Sequence, residues 1–320
     1  VVALGPPRPG VVSEPLEGQQ EALSWFTAEY PVLLGAVPLA VSRGLDRYAC
    51  HLALVLGTFG NLRGHWADWA DAQQAALPAA YRLDDLGWPA RLHRELGYAY
   101  TCLERFADSQ THFTLALDLH GALDDAVGMA RTLRGMCLMS ERQGRLREAL
   151  EYARRSRDLL LESADQAGKA YAFNSVGWYH ALVGDYHEAL DNCRQAIILL
   201  CEVGDRLGEA TTWDSLGFAH HHLGQYREAI DCYRRALDTF QELGDRYYEA
   251  DTLHHIGDSY HAVGDRAAAH RALRRAVHLF EALERPEAAE VRAKLGRGAG
   301  RGVPPGTDPR RAVTTRRAGV

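Results

Sequence analysis

The chain has 320 residues, of which 47% are hydrophobic and only 12 are proline, a balance that fits a soluble, mostly helical protein. Its longest apolar run, Pro31 to Ser42, is about twelve residues and is interrupted by Pro38, too short to span a bilayer, and no signal peptide with a basic start and cleavage site is expected. The net charge of −6 divides unevenly: Arg297, Arg301, Arg310, Arg311, Arg316 and Arg317 stand against Asp308 alone after Gly296, so the tail is basic and the remainder acidic. Cys50, Cys102, Cys137, Cys193, Cys201 and Cys232 form no C-x-x-C pair and read as reduced core residues of a cytoplasmic protein. The first residue is valine, which leaves a non-AUG start or a piece of a longer chain as the two expectations.

Residues 1–15 are rich in proline and glycine and are expected to be disordered. Residues 16–49 form a helical junction or N-terminal cap, read as two short helices, 17–30 and 32–43, parted at Pro31, because proline lacks an N–H and crowds the preceding turn. Residues 50–285 carry a repeat. Gly177, Gly217 and Gly257 are spaced by 40, as are Gly184, Gly224 and Gly264, and Ala189, Ala229 and Ala269. A fixed period of this size signals a stacked array.

The first glycine series lies inside apolar helical runs, where glycine costs about 1 kcal/mol relative to alanine. Close approach of a second helix is the compensation, with the alanines of the following helix expected to face the glycines. The second series falls between two apolar runs, where a left-handed residue ends a helix. At Gly204-Asp205 and Gly244-Asp245 glycine ends one helix and aspartate caps the next. Six helix–turn–helix units follow, beginning near residues 50, 90, 130, 170, 210 and 250. The early units deviate: Glu104 replaces a turn glycine, Trp69 and Ser109 replace packing alanines, and Cys137 replaces a core glycine. Residues 286–295 read as a capping helix and 296–320 as a disordered basic tail.

The unit Trp213-Asp-Ser-Leu216-Gly217-Phe-Ala-His220, followed by Ala229-x-x-x-Tyr233 and Ala236, resembles the tetratricopeptide (TPR) pattern. A period of 40 is longer than its usual length of about 34 and overlaps the HEAT and armadillo range of about 40–47, but the glycine, alanine and aromatic positions match the tetratricopeptide order. The resemblance implies an all-α, right-handed superhelical solenoid of about six 40-residue helix hairpins. It also implies that first helices line a concave groove. On this chain the groove positions are Arg91, Arg94, Tyr98, Arg131 and Arg134, then Tyr171, Asn174 and Trp178, then Asp214, Phe218, His221, His254, Asp258 and His261. Such a groove begins basic and ends rich in His and Asp, which fits an extended protein or peptide with an acidic end. Aromatics and arginines are the side chains that dominate interface energies.

Histidines 220, 221, 222, 254, 255 and 261 raise a metal reading, with His254 and His261 two turns apart on one face and His221 opposite them. The bland reading is packing, above all for His220 at the tyrosine position of its unit, and no metal or cofactor is expected. No phosphate loop occurs, since Gly168-Lys169 is followed by Ala170, and neither H-E-x-x-H nor G-x-S-x-G is present. A non-enzymatic binding module is the expectation. Without interleaved aromatics the six tail arginines read as solvated, and direct nucleic-acid binding is not expected.

Ala22-Leu-Ser-Trp25-Phe26-x-Ala28-Glu29 with Leu33-Leu34-x-Ala36-Val37, His65-Trp66-x-x-Trp69, and the turns Tyr186-His-Glu-Ala189 and Tyr226-Arg-Glu-Ala229 resemble the C-terminal sensor arrays of AfsR/SARP-type actinobacterial transcriptional regulators and the segment joining them to an NB-ARC nucleotide switch. The resemblance covers residues 16–295. It implies a sensor or autoinhibitory role, with the NB-ARC switch as a partner in cis or in trans. Neither that ATPase nor the family's DNA-binding domain is found in these 320 residues, so binding of ATP or operator DNA is not expected of them. A free-standing adaptor or scaffold is the alternative, and a metal-dependent activity at the histidine cluster a third.

Overall fold

The computed structural model describes residues 18–298; the expectation of disorder for 1–15 lies outside them, as does that for 296–320 except at 296–298, which continue the closing helix and correct it. Every regular element among the described residues is a helix. The chain divides into two compact units, one ending at Gln143 and the other starting at Gly144.

The first unit holds α1 (Gln19–Ser42), α2 (Asp46–Arg63), α3 (Trp66–Arg82), α4 (Gly87–Cys102), α5 (Phe106–Ala122) and α6 (Ala126–Arg142). Helices α2/α3 and α4/α5 are hairpins, α1 packs on the first of them, and α6 packs on the second. Helix α1 corrects the sequence expectation, since it runs unbroken through Pro31 and Pro38. Each proline forfeits one backbone bond and strains the turn before it, at about 3 kcal/mol in a free helix. Burial offsets this cost: Tyr30 and Val37, the residues directly before the prolines, are buried, and Phe26 and Tyr30 lie on Phe59 with ring centroids 5.4 and 5.0 Å apart.

The second unit holds α7 (Leu146–Leu160), α8 (Gln166–Val183), α9 (Tyr186–Val203), α10 (Arg206–His222), α11 (Tyr226–Leu243), α12 (Arg246–Ala262), α13 (Arg266–Ala282) and α14 (Glu287–Gly298). Helices α8/α9, α10/α11 and α12/α13 are hairpins, each packed on the next, and α14 covers α13.

A finer period than 40 emerges from the backbone. Among the described residues, every residue with positive φ except Gly18 falls on a 20-residue grid running from Gly44 to Glu284. The grid alternates between the turn inside a hairpin and the junction between hairpins. Glycine fills most of its positions because it alone adopts this conformation without a Cβ penalty, but Glu104, Asp124 and Glu284 hold it with φ of 58°, 51° and 53°. Immediately after the junctions, Asp125, Asp165, Asp205 and Asp245 each accept a backbone N–H three residues ahead. Capping of this kind contributes about 1 kcal/mol per helix.

The core glycines do meet a second helix closely, but the alanine is not the residue that fills the notch. A Cβ on Gly97 would lie 2.5 Å from Phe113, one on Gly217 2.6 Å from Tyr233, and one on Gly257 2.7 Å from Leu273; at Gly177 it would collide with Cys193. The filling side chain is one turn beyond the packing alanine. Ala189, Ala229 and Ala269 are buried beside it, where their small size lets the backbones approach.

Candidate functional site

In the first unit the expected groove residues lie on α4 and α6. Arg91 is exposed and its guanidinium stands 5.8 Å over the Trp88 ring. Arg94 is half-buried and paired with Glu95 at 3.0 Å. Tyr98 packs edge-on against Phe113 and its hydroxyl donates to the Arg131 carbonyl at 3.2 Å. Burial pushes the Tyr98 hydroxyl pKa up, opposed by the charges of Arg134 and Arg94. Arg94, Tyr98 and Arg134 therefore share one environment, with Arg131 exposed beside it.

In the second unit the expected residues lie on α8, α10 and α12, and most are engaged within the chain. Tyr171 donates to Asp205 Oδ2 at 2.7 Å, and Asn174 Oδ1 accepts a long contact from Cys193 Sγ at 3.8 Å. Trp178 and Phe218 are buried and meet edge to face at 5.1 Å, which corrects the picture of aromatics exposed in a groove. Phe218 also meets His222, 4.1 Å between centroids.

Asp214 is 5% exposed; its Oδ1 accepts from Thr252 Oγ1 at 3.1 Å and from His255 Nδ1 at 3.3 Å. His221 Nδ1 and Ser259 Oγ are 2.8 Å apart. The Lys294 ammonium, from α14, sits against His254 Nε2 and pairs with Asp258 Oδ2 at 2.7 Å. Burial, then the Lys294 charge, lowers the His254 pKa to about 3, and burial, then His222, lowers that of His221 to about 4. Both rings are neutral at pH 7. Burial alone would raise the Asp258 carboxyl, but His254 and Lys294 outweigh it and hold it low.

His261 is exposed. Among the described residues, the group whose ligand atoms converge is Asp251, His254 and His255; it shares His254 and His255 with the histidines singled out in the sequence, adds Asp251, and leaves out His221 and His261. Thr252, Ser259 and Lys294 were also missed. Lys294 was within reach, since it lies one 40-residue period beyond His254, at the corresponding position of a seventh, truncated unit.

Burial pushes the pKa of Cys50 and Cys232 up to about 11, which leaves them protonated at neutral pH. No helix among the described residues is long and apolar enough to cross a membrane.

Comparison with known proteins addresses the fold. The tetratricopeptide repeat family matches residues 208–282, the stretch from α10 to α13. No curated protein matches the sequence. Among solved structures, a signal transduction ATPase with numerous domains (STAND) carrying a tetratricopeptide repeat sensor, from Pyrococcus horikoshii, superposes with a TM-score of 0.63 at 14% identity, over 86% of this chain and 42% of that one. This chain thus spans less than half of that protein. A Rap protein complexed with competence and sporulation factor gives 0.58 at 16% identity, over 80% and 75%. BtubC (BKLC) from P. vanneervenii gives 0.57 at 16% identity, over 70% and 92%. With its helix hairpins, buried glycine notches and capped junctions, the chain has the all-α tetratricopeptide-like solenoid fold.

Proposed function

We propose that the chain is a protein- or peptide-binding module that forms the sensor or autoinhibitory part of a transcriptional regulator resembling the AfsR/SARP type. The observation that carries this reading is the set of arginines on α4 and α6: Arg91 and Arg131 are exposed, and the Arg91 guanidinium stands over the Trp88 ring. Arginines beside an aromatic ring suit the acidic end of an extended peptide, because the guanidinium forks match carboxylates. The likeness to a STAND ATPase with a tetratricopeptide repeat sensor supports the sensor role, and an NB-ARC switch as partner, in cis or in trans, rests on the resemblance of the junction segment.

Arg94 is a poor position for a test, because reversing its charge would set two acids side by side with Glu95. Arg91→Glu with Arg131→Glu is cleaner, since exposed substitutions usually shift stability by no more than about 0.5 kcal/mol. Fluorescence anisotropy with a labelled, Glu-rich peptide ending in a free carboxylate, against a Lys-rich counterpart, reads the preference. Selective binding of the acidic peptide that weakens with salt and falls at least about tenfold in the double variant, a loss of roughly 1.4 kcal/mol, supports the reading. Equal binding by the variant moves the surface elsewhere. The intact mass of the native protein from its own cells tests the regulator role: a mass several times that of 320 residues fits a sensor joined to its switch, and a mass near it fits an adaptor or a switch supplied in trans.

A further inference from the structure

We propose that Asp251, His254 and His255 form a binding site for one divalent first-row transition ion of the zinc type. The three residues occupy positions i, i+3 and i+4 of α12, which share one helix face, and one ligand atom from each lies within 4.8 Å of the others. Zinc holds imidazole nitrogen and carboxylate oxygen at about 2.0–2.2 Å, so ligand atoms around one tetrahedral ion stand about 3.4 Å apart. Side-chain rotation that moves the ligand atoms by roughly an ångström closes the set.

The surroundings of His255 favour this use. Its Nδ1 donates to Asp214 Oδ1 at 3.3 Å, and Thr252 Oγ1 holds the same oxygen at 3.1 Å. That bond fixes the tautomer and leaves Nε2 turned toward Asp251, 4.0 Å from its Oδ1. A metal-binding histidine typically donates its other ring nitrogen to a carboxylate in this way. Asp214 comes from α10 and is buried, so the orienting group is held rigidly by a neighbouring hairpin.

The donor set selects the ion. Two imidazoles and one carboxylate, with no thiolate, suit zinc and its neighbours in the first row over calcium or magnesium, and three protein ligands leave coordination positions open. One group opposes binding. The Lys294 ammonium lies against the His254 ring and repels a second cation there. Lys294 is thereby a built-in competitor that sets the affinity of the site.

Titration of the chelator-treated, tag-free full chain with Co²⁺, followed by its visible d–d absorption, and then displacement by Zn²⁺ tests the proposal. One equivalent of Co²⁺ is expected to saturate the signal. Asp251→Asn and His255→Gln are each expected to weaken binding at least about tenfold, with thermal melting checking that each variant folds. Asp214→Asn, which removes no ligand, is expected to weaken it about 10–100-fold, Lys294→Met to tighten it, and His261→Ala to leave it unchanged. Absence of saturable one-to-one binding in both the wild type and Lys294→Met overturns the proposal, as does binding that survives Asp251→Asn and His255→Gln unchanged. Should His255→Gln fail to fold, Asp251→Asn decides, because the Asp251 side chain is partly exposed.

Discussion

Tyr233 lies across the face of Gly217 so closely that a Cβ on the glycine would stand 2.6 Å from Cε1 and 2.7 Å from Cδ1 of the ring. The ring itself is 1% exposed and has no room to withdraw. Gly217→Ala is therefore expected to destabilise the protein by about 1–3 kcal/mol through overpacking, although alanine is the better helix former by about 1 kcal/mol. Urea unfolding compares the two proteins directly. A stabilised variant would mean that the helices separate at little cost.

The turn at Glu104 predicts a change of opposite sign. Its φ of 58° places a side chain in the left-handed region, which costs an L residue about 1–2 kcal/mol. Part of the gain from glycine is lost to its greater freedom when unfolded. Glu104→Gly should stabilise by about 0.5–1 kcal/mol, raising the melting temperature without altering the far-ultraviolet spectrum.

Tyr171 and Asp205 form a junction that can be dissected by a double-mutant cycle. Asp205 caps α10 through the Gly208 N–H at 2.9 Å and accepts the Tyr171 hydroxyl at 2.7 Å. Tyr171→Phe should cost about 1 kcal/mol and Asp205→Ala about 1–2 kcal/mol. The double variant should cost less than the sum. Strict additivity would show that the hydroxyl bond contributes nothing.

Acid should weaken the first unit through His93. This ring is 4% exposed, and its nitrogens meet Tyr81 Oη and His112 Nδ1, both at 2.8 Å. Burial, then the His112 ring, lowers its pKa to about 4, below the unfolded value near 6.5. Between these two values the unfolded chain binds more protons, so stability falls as pH drops through that window and is level again below it. The expected loss is on the order of 3 kcal/mol, read as a difference in urea midpoints between pH 7 and pH 4 that shrinks in His93→Gln.

The turns, junction caps and helix hairpins were legible because glycine and aspartate act through the local backbone, and their spacing alone reports it. Rotation about a helix axis was not legible to the same degree. Register located Gly217 and Ala229 correctly but not the fact that Tyr233, one turn further on, fills the notch. It placed Asp214, Trp178 and Phe218 on first helices without revealing that neighbouring hairpins cover them. The continuity of α1 through two prolines depends on contacts with Phe59, a residue some 30 positions away, which no local rule contains.

The notch geometry bears on how such a chain avoids assembling wrongly. Hairpins cut to one length and one backbone pattern are interchangeable in outline, and repeat proteins are prone to misdocked neighbours and exchanged segments. Here the glycine side stays constant while the facing side chain changes from Phe113 to Cys193, Tyr233 and Leu273. Each second helix thus fits its own partner and is too large, too small or the wrong shape for another. The variation among these four units supplies an address for each of their hairpins, written in side-chain volume.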